Sequence, residues 1–221
     1  MENEYRTAES TELFFGIPVE DVEHMITCLD GKKKIYHAAQ TVWRAGEKIT
    51  QVGIILSGKV YLESCDFWGN KSIITEYVSG NSFGEAYALA KNDCQVFDAV
   101  AKEDSEILFL DIARLTSPCQ KACSGHKLLI ENLLSTVATK ARELSDKMNH
   151  ICKRTTREKL ISYLSGEARK QRSPIIHIPF NRQELADYLS VERCAMSKEL
   201  HKMKRDGLID FNGSEFVLKM N

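Results

Sequence analysis

The sequence predicts an α+β chain with three parts in order: an N-terminal antiparallel β-roll of the double-stranded, jelly-roll-like kind, a long dimerisation helix and a C-terminal winged helix-turn-helix. Three observations predict this order: short β-rich segments separated by turns, then an unbroken heptad pattern, then two short amphipathic helices followed by a hairpin. A chain of 221 residues is also longer than one small core needs. We expect the β-roll domain over residues 1–123, the long helix over 124–151 and the winged domain over 152–221.

The β-roll is predicted by a change of pattern after an N-terminal helical segment. Between Glu12 and Leu29 apolar residues recur at helical spacing, interrupted by Gly16 and Pro18. From there to Ile112 the sequence consists of short runs rich in β-branched and aromatic residues, with turn signals such as Ser57-Gly58 and Ser79-Gly80 between them. Turns at these intervals are typical of a small antiparallel barrel or jelly roll. The strands are expected over residues 34–37, 41–43, 52–56, 59–65, 72–78, 96–101 and 106–110.

The long helix is predicted by seven apolar residues that are separated alternately by four and three positions: Ile130, Leu134, Val137, Ala141, Leu144, Met148 and Ile151. This spacing is the a/d seam of a coiled coil. We therefore expect residues 130–151 to pair with the same helix of a second copy. The stripe could instead pack on the chain's own β-roll, since three heptads are near the minimum for a coiled coil.

The winged domain is predicted by helix caps and a hairpin signal. Thr155 with Glu158, and Asn181 with Glu184, are capping boxes that begin helices. The apolar faces of the next two helices meet around a turn at Ser190 and Val191, and they consist of Leu185, Ala186, Leu189, Met196, Leu200 and Met203. Gly207 ends the second helix, and Asn212-Gly213 joins two apolar segments into a hairpin that forms the wing.

The outer face of the second helix indicates DNA recognition. Its hydrogen-bond donors are Arg193, Ser197, Lys198, His201, Lys202, Lys204 and Arg205. A helix fits the major groove, where such donors reach base edges and phosphates. From residue 150 onward there are 14 Lys and Arg against 9 Asp and Glu, a net charge of +5, whereas the earlier residues have 16 against 22, a net charge of −6. Phosphate would be repelled by the acidic part, so DNA contact is expected only in the basic part.

The composition and the motifs argue against secreted, membrane-spanning, disulfide-rich and enzymatic proteins. The start is not that of a secretory signal, and no apolar run reaches membrane-spanning length, so we expect a soluble, cytoplasmic protein that contacts no membrane. The seven cysteines are an odd number without a regular framework, which favours reduced thiols. We find no nucleophile paired with a base, no zincin pattern and no phosphate-binding glycine loop, so we do not expect an enzyme.

The order of β-roll, long helix and winged helix-turn-helix resembles the Crp/Fnr superfamily of bacterial transcription regulators. The resemblance rests on Gly53-Ile-Ile-Leu-Ser-Gly58-Lys-Val, Gly80-Asn-Ser-Phe-Gly84-Glu85, Asn181-Arg-Gln-Glu-Leu-Ala and Met196-Ser197-Lys198. It implies a homodimeric, sequence-specific regulator that binds double-stranded DNA at a palindromic operator and contacts RNA polymerase. It also implies a cyclic-nucleotide-binding-like domain that responds to a signal.

The same resemblance implies which residues contact DNA. Arg193 matches the family's guanine-reading arginine, Lys198 matches a later basic contact, and Arg182 matches a phosphate-contacting position. The position that often holds a base-contacting glutamate is Cys194 here, so the familiar half-site is not expected. Arg193 could instead contact phosphate alone. The predicted contact set is completed by Ser197 and Lys202.

The predicted effector pocket departs from the cyclic-nucleotide-binding members of the family. Gly84 precedes Glu85, which matches the glutamate on the ribose hydroxyl, while the arginine and hydroxyl residue that bind the cyclic phosphate fall at Phe97 and Asp98. Phenylalanine cannot neutralise a phosphate, and aspartate repels it. We therefore do not expect cyclic AMP to bind as it does in the family's archetype, and the effector is unknown. Glu85 could alternatively be a structural cap.

A second possibility for sensing is the segment Cys119-x3-Cys123-x2-His126. Thiolates and imidazole are ligands for zinc or iron, and two close thiols can oxidise. The spacing is not that of a standard closed metal site, and the alternative is that these cysteines are ordinary reduced thiols. Only Cys28 lies near the N-terminus, where the family's iron-sulfur oxygen sensors carry a cysteine cluster. Another alternative is a ligand-binding or protein-interaction module that does not read DNA, which Cys194 and the near-neutral net charge of the chain leave open.

Overall fold

The computed structural model describes residue 8 and residues 10–65, 67–68, 71–90, 94–117 and 124–219. The chain divides into two compact units, residues 1–139 and residues 140–221. The first contains a β-roll and the second a winged helix-turn-helix, with a long helix that begins in the first unit and ends in the second. The predicted fold class is confirmed.

In its described residues, the N-terminal unit contains a roll of two four-stranded antiparallel sheets, with one helix before the roll, a short helix within it and another after it. Its elements are α1 (Val19–Cys28), β1 (Lys32–Tyr36), β2 (Thr41–Trp43), β3 (Gln51–Ser57), β4 (Lys59–Cys65), β5 (Lys71–Val78), β6 (Ser82–Phe83), α2 (Glu85–Leu89), β7 (Asp98–Ala101), β8 (Ser105–Asp111) and α3 (Ile112–Thr116). One sheet has the order β1-β8-β3-β6 and the other β2-β7-β4-β5.

Strand β3 explains how the roll is packed. Successive side chains of a strand point to opposite faces, so a strand buried on both faces reads as an unbroken apolar run. Ile54 packs with α1 and the long helix in one core, whereas its neighbour Ile55 packs with Phe83 in the interior of the roll. In β8, Leu108 and Phe109 divide between the same two cores.

The structure adds short elements that the sequence pattern did not indicate. Strand β6 has two residues, and α2 and α3 have five each, which is too short for a period to be recognised. Strand β7 begins at Asp98 rather than at the expected residue 96, and Val96 is exposed.

The long helix α4 extends over Ser124–Ile151. The predicted apolar stripe is not buried uniformly in this chain: Leu134 is 63% exposed, Leu144 63% and Met148 49%. The residues that pack in the core of the N-terminal unit are mainly Leu129 and Leu133, which lie beside the stripe. Neither α4 nor any other helix in the described part of the chain combines the length and apolar character needed to span a membrane.

The C-terminal unit contains a three-stranded antiparallel sheet and three further helices. Its elements are α5 (Thr156–Gln171), β9 (Ile175–His177), α6 (Arg182–Tyr188), α7 (Arg193–Arg205), β10 (Ile209–Asn212) and β11 (Glu215–Leu218). Both predicted capping boxes are formed, one at Thr155 and the other at Asn181. Gly207 follows α7 with a φ of 76°, the left-handed conformation that ends a helix and favours glycine.

The wing differs from the prediction in two details. Asn212 pairs with Glu215, so the two-residue loop is Gly213-Ser214 rather than Asn212-Gly213. Gly213 has a φ of 57°, which suits the first position of a tight hairpin turn. Residues 175–177, for which no strand was predicted, pair with β11 and give the sheet the order β10-β11-β9.

Candidate functional site

The helix-turn-helix is held by an apolar core and by a cap that sequence reasoning missed. Leu185 of α6 and Leu200 of α7 are both buried in the core of the C-terminal unit. Glu192 caps α7, because its carboxylate accepts hydrogen bonds from the backbone N–H groups of Cys194 at 2.7 Å and Ala195 at 2.6 Å. These hydrogen bonds lower the pKa of Glu192. An acidic residue just before an apolar-periodic helix was the signal that could have identified this cap.

A side chain of α5 hydrogen-bonds the turn between α6 and α7 and holds it in place. Ser190 adopts a φ of 51°, an unusual conformation for a residue with a side chain. The Lys159 ammonium donates hydrogen bonds to the carbonyls of Leu189 at 3.1 Å and Ser190 at 3.2 Å. The lysine therefore satisfies the carbonyl groups at the end of α6.

A second link from α5 holds α7 itself. The Arg157 guanidinium hydrogen-bonds Glu199 and, at 2.6 Å, the carboxylate of Asp206. These hydrogen bonds, the one to Glu199 first, raise the pKa of Arg157. Arg157 and Lys159, both in the first turn of α5, thus orient the helix that carries the predicted DNA contacts.

Five of the six predicted contact residues lie on α7, and Arg182 lies at the start of α6. On α7, Arg193 is at the N-terminal end, in line with the buried residues, and the others lie around the remaining faces. Arg193, Cys194, Lys198 and Lys202 are exposed, and Ser197 is half-buried. Cys194, Lys198, His201 and Arg205 follow one another at steps of four, three and four residues, so they form one stripe along the helix. The structure therefore brings together the α7 members of the predicted contact set, and their individual roles stay predictions.

A basic groove lies along the second half of α7. It is lined by Lys198, His201, Lys204 and Arg205, of which only Lys198 belongs to the predicted contact set. The His201 ring lies 5.4 Å from the ring of Phe211 in the wing strand β10, measured between centroids. Sequence reasoning noted His201, Lys204 and Arg205 as donors, but only the groove that they line with Lys198 identifies them as a group.

Arg182 lies against the wing. Its guanidinium carbon is 4.9 Å from the centre of the Phe211 ring and 4.8 Å from that of Phe216, and its Nη2 donates a hydrogen bond to the Gly213 carbonyl at 3.0 Å. Burial lowers the pKa of Arg182. The side chain thus joins the start of α6 to the wing, and its predicted phosphate contact stays a prediction.

The residues at the predicted effector positions pack against, or hydrogen-bond to, other residues of the roll. Gly84 has a φ of 82°, and a Cβ added there would lie 2.5 Å from Cζ3 of Trp43. Asp98 accepts a hydrogen bond from the backbone N–H of Ala45 at 2.7 Å, and the Phe97 carbonyl accepts one from Gln95 Nε2, also at 2.7 Å. Glu85 is buried as the first residue of α2.

The interior of the roll beside these positions is aromatic. The ring of Phe83 lies 4.9 Å from that of Trp43 and 5.9 Å from that of Tyr77, measured between centroids. Burial, followed by the charge of Glu85, raises the pKa of Tyr77 to about 12. The Tyr77 phenol is therefore neutral at physiological pH, and Phe83 packs in the interior of the roll against uncharged aromatic rings.

The predicted metal or redox segment is described only at its last member. Cys119 and Cys123 lie outside the described residues. The ring of His126 is buried, and its Nε2 is 2.7 Å from the Leu115 carbonyl, a distance at which an Nε2–H donates to that oxygen. Within the described part of the chain, no three His, Cys, Asp or Glu side chains gather as metal ligands. The metal or redox hypothesis stays a prediction.

The chain is similar to known proteins in family, sequence and fold. Two family models match, the cyclic nucleotide-binding domain over residues 33–121 and the Crp-like helix-turn-helix domain over residues 158–220. The Cyclic AMP receptor protein of Thermus thermophilus is 22% identical over 201 residues, which covers 91% of this chain and 89% of that protein. The Transcriptional activator protein FnrL of Cereibacter sphaeroides is 24% identical over 192 residues, which covers 83% of this chain and 74% of that protein.

A solved structure of the same fold is that of CLP, a c-di-GMP-responsive global regulator from Xanthomonas campestris. It superposes with a TM-score of 0.57 at 16% sequence identity and covers 92% of this chain and all of that one. The curated relatives and this structure therefore match over most of the chain, through both the roll and the winged helix.

Proposed function

The chain belongs to the Crp/Fnr family of DNA-binding transcription regulators, and on that premise we propose that it acts as a homodimer whose two α7 helices read an inverted repeat in double-stranded DNA. The observation that carries this proposal is the exposed basic stripe on α7, opposite the buried Met196, Leu200 and Met203. A family regulator needs such a face to reach base edges in the major groove.

Arg193 is the residue to which we assign base recognition. It is the first residue of α7, and its side chain is exposed. In the family the matching arginine reads guanine, and a bidentate contact of this kind contributes about 1–3 kcal/mol of discrimination between bases. Lys198 supplies a further donor on the exposed face, whereas the thiol of Cys194 offers little hydrogen bonding to a base.

The exposed apolar side chains of α4 support a dimer. Leu134, Leu144 and Met148 belong to the heptad stripe and are about half exposed or more in the single chain. Burying them against a second α4 would remove this apolar surface from water. Two-fold symmetry then places the two α7 helices about 34–36 Å apart on one face of the duplex. In this arrangement residues 1–123 sense a signal, residues 124–151 dimerise and residues 152–221 bind DNA.

The signal sensed by the roll is proposed to be something other than cyclic AMP bound as in the family's archetype. The positions of the phosphate-binding arginine and its neighbour are Phe97 and Asp98, and the Asp98 carboxylate already accepts from the Ala45 backbone. An anionic phosphate placed beside this carboxylate would be repelled. The Thermus thermophilus relative is named as a cyclic AMP receptor, whereas Phe97 and Asp98 of this chain supply no cation for a cyclic phosphate.

Selection from random duplex DNA by the purified full-length chain tests the proposal. The expected result is enrichment of an inverted repeat whose half-sites are one helical turn apart. Arg193→Ala should weaken binding to the selected repeat by about 10- to 100-fold while changing binding to a scrambled duplex much less. Arg169→Ala serves as the charge-matched control, because Arg169 is exposed on α5 and lies outside the α7 stripe.

Two other outcomes are informative. Enrichment of a single half-site without symmetry would contradict the dimeric arrangement but would still support sequence-specific DNA binding. Equal losses for Arg193→Ala on the selected and scrambled duplexes would reassign Arg193 to a phosphate contact. Adding cyclic AMP to the selection should leave the enriched sequence and its yield unchanged, and a clear increase in yield would overturn the proposal for the roll.

A further inference from the structure

We propose that His150 is a positioning residue for DNA reading. Its ring sets the angle between the end of α4 and the winged helix, and this angle determines the spacing at which a dimer recognises two half-sites. The inference rests on the proposed function, in which α4 pairs with a second copy of the chain, and it adds to that function the side chain that fixes the geometry of reading.

The C-terminal unit contains both the end of the dimer contact and the helix that reads DNA. It begins at Lys140, so it includes the last turns of α4 as well as α7. Leu144 and Met148, two exposed residues of the heptad stripe, lie on this part of α4. The angle between residues 140–151 and the winged helix therefore determines where α7 lies relative to the surface that meets the second copy.

The connection between α4 and α5 supplies no buried contact that would fix this angle. Helix α4 ends at Ile151, α5 begins at Thr156, and all four residues between them are exposed. A connection without buried contacts changes its conformation at little cost. The angle must therefore be set by side chains of α4 that pack on the winged helix.

His150 makes such a contact. Within residues 140–151, all of which the structure describes, it is the one buried residue, at 5% exposure. Its Nδ1 lies 2.8 Å from Ser162 Oγ, and its ring meets that of Tyr163 edge-on, with centroids 5.7 Å apart. The ring of Tyr188, at the end of α6, has its centroid 6.5 Å from that of His150. The imidazole thus packs against both α5 and α6.

Gly166 makes room for the His150 ring on the surface of α5. A Cβ added at Gly166 would lie 3.4 Å from Cε1 of His150 and 3.7 Å from Nε2. Glycine is unfavourable in a helix interior compared with alanine, and here the space that it leaves is filled by the imidazole. A side chain larger than alanine at this position would displace the ring.

Two further contacts join this part of α4 to the winged helix at the surface. Lys170 Nζ lies 3.8 Å from Asp146 Oδ2, and the two side chains are about half exposed. Lys147 Nζ lies 5.4 Å from the centre of the Tyr188 ring. Exposed charges of this kind stabilise little, because water and salt screen them. The buried ring of His150 is therefore the contact on which the angle depends.

Helix α5 connects His150 to α7. Arg157 of α5 binds Glu199 and Asp206 of α7, so a side chain that fixes α4 against α5 also fixes α4 against the reading helix. Each base pair added between two half-sites turns one of them by about 34–36° about the duplex axis. A dimer with a fixed angle accepts one spacing with high affinity, whereas a loose joint accepts several spacings with lower affinity.

The test measures how the affinity of the full-length chain depends on half-site spacing. Fluorescence anisotropy gives Kd for the selected inverted repeat, for repeats with one or two base pairs added or removed at the centre, and for a duplex with a single half-site. For wild type, Kd should rise at least about tenfold when the spacing changes by two base pairs, because the second half-site then turns away by about 70°.

Two variants loosen the joint from opposite sides. His150→Ala removes the ring, and Gly166→Val displaces it. In both, Kd for the best repeat should rise, its change with spacing should fall to about threefold or less, and Kd for the single half-site should stay within about twofold of wild type, because α7 is unchanged. Asn149→Ala, at an exposed position of α4, is the control and should keep the wild-type dependence on spacing.

The dependence on spacing separates positioning from stability. A variant that is merely less stable has a smaller folded fraction, which raises Kd for every duplex by the same factor and leaves the preferred spacing as sharp as in wild type. That result in both His150→Ala and Gly166→Val would overturn the role of His150, while DNA reading by the dimer would stand. If wild type binds the single half-site as tightly as the repeat at every spacing, dimeric reading falls, and this inference falls with it.

Discussion

The two units of this chain differ in where their functional side chains lie. In the winged-helix unit the candidate groups are exposed on one helix, with Lys198 and Arg205 on its outward stripe. In the roll the candidate positions are tied into the fold, since Asp98 accepts from Ala45 and the interior is occupied by Trp43 and Phe83. Surface chemistry can therefore be inferred from residue types, whereas the chemistry of an interior site depends on which side chains already fill it.

Each unit also has a core of its own, and this allows the two to be perturbed separately. The winged-helix core includes Leu200 of α7 and Phe216 of the wing, both buried. The core of the N-terminal unit includes Leu108 of β8 and Leu129 of α4. A substitution in one core should therefore be detected first in the backbone protection of that unit.

The largest effect is expected for Leu200→Ala. Leu200 is 1% exposed, and removing a fully buried leucine side chain costs about 3–5 kcal/mol, because a cavity remains. Urea denaturation should report the loss, and hydrogen exchange should place it in residues 156–218. Ile161→Ala, at an exposed position of α5, should change stability by less than about 1 kcal/mol. Equal increases in exchange across the β-strands of the roll would show that the two units do not unfold separately.

The second effect concerns Gly84 in the roll. Gly84→Ala should cost roughly 2–4 kcal/mol, because the left-handed conformation disfavours a side chain and the new Cβ would lie 2.5 Å from Trp43 Cζ3. Gly46→Ala is the matched control: its φ is 87°, but a Cβ there meets no described atom within 4 Å. It should cost only the backbone strain, about 1–2 kcal/mol.

The two glycine variants are compared by thermal unfolding and by hydrogen exchange of β2, β3 and α2. The close approach to Trp43 predicts a larger loss for Gly84→Ala than for Gly46→Ala. Equal losses at the two positions would mean that Trp43 moves aside without cost. Binding of DNA by Gly84→Ala at low temperature should be retained if the winged-helix unit remains folded.

The elements that could be predicted from sequence are those with local signals. The capping box at Asn181 and the end of α7 at Gly207 involve residues within a few positions of each other. Strand β3 was identified from its apolar run, although the run did not show which residue faces which core. The α7 face was predicted because helical spacing alone determines which side chains lie opposite the buried ones.

The features that could not be predicted depend on contacts between distant parts of the chain. Asp98 binds the backbone of Ala45, 53 positions away, so the sequence at Asp98 showed only the loss of a phosphate-binding residue. Arg182 rests on wing residues 29 and more positions away. The burial of Leu129 and Leu133 rather than the whole heptad stripe of α4 depends on which face the roll covers.

A smaller effect is expected at the cap of α6. The Asn181 side chain accepts hydrogen bonds from the backbone N–H groups of Gln183 at 2.9 Å and Glu184 at 3.0 Å. Asn181→Ala should cost about 1 kcal/mol of unfolding free energy, because these groups lose their acceptor. Asn181→Asp keeps an acceptor and should be close to wild type in urea denaturation. If the alanine and aspartate variants are equally destabilised, the amide must have a role other than capping.

The smallest effect is the pH dependence of the winged-helix unit that arises from His150. Its ring is buried between α5 and Tyr188, and Nδ1 lies 2.8 Å from Ser162 Oγ. Burial lowers the pKa of His150 below its ordinary value of 6.5, whereas Asp146 and Glu167 act in the opposite direction and reduce the shift. The unfolded chain therefore binds the proton more readily than the folded chain, and stability rises with pH until His150 is neutral in both states.

Stability of the unit should accordingly be constant above pH 7 and should fall as the pH decreases through 6.5 towards 5. Urea midpoints at pH 5, 6, 7 and 8 measure the fall, and hydrogen exchange of α5 and α6 assigns it to this unit. His150→Gln removes the titrating group, so its midpoint should vary less over the same range, and His177→Gln, at an exposed position, controls for other histidines. A fall of equal size in His150→Gln would assign the acid sensitivity of the winged-helix unit to carboxylates rather than to this histidine.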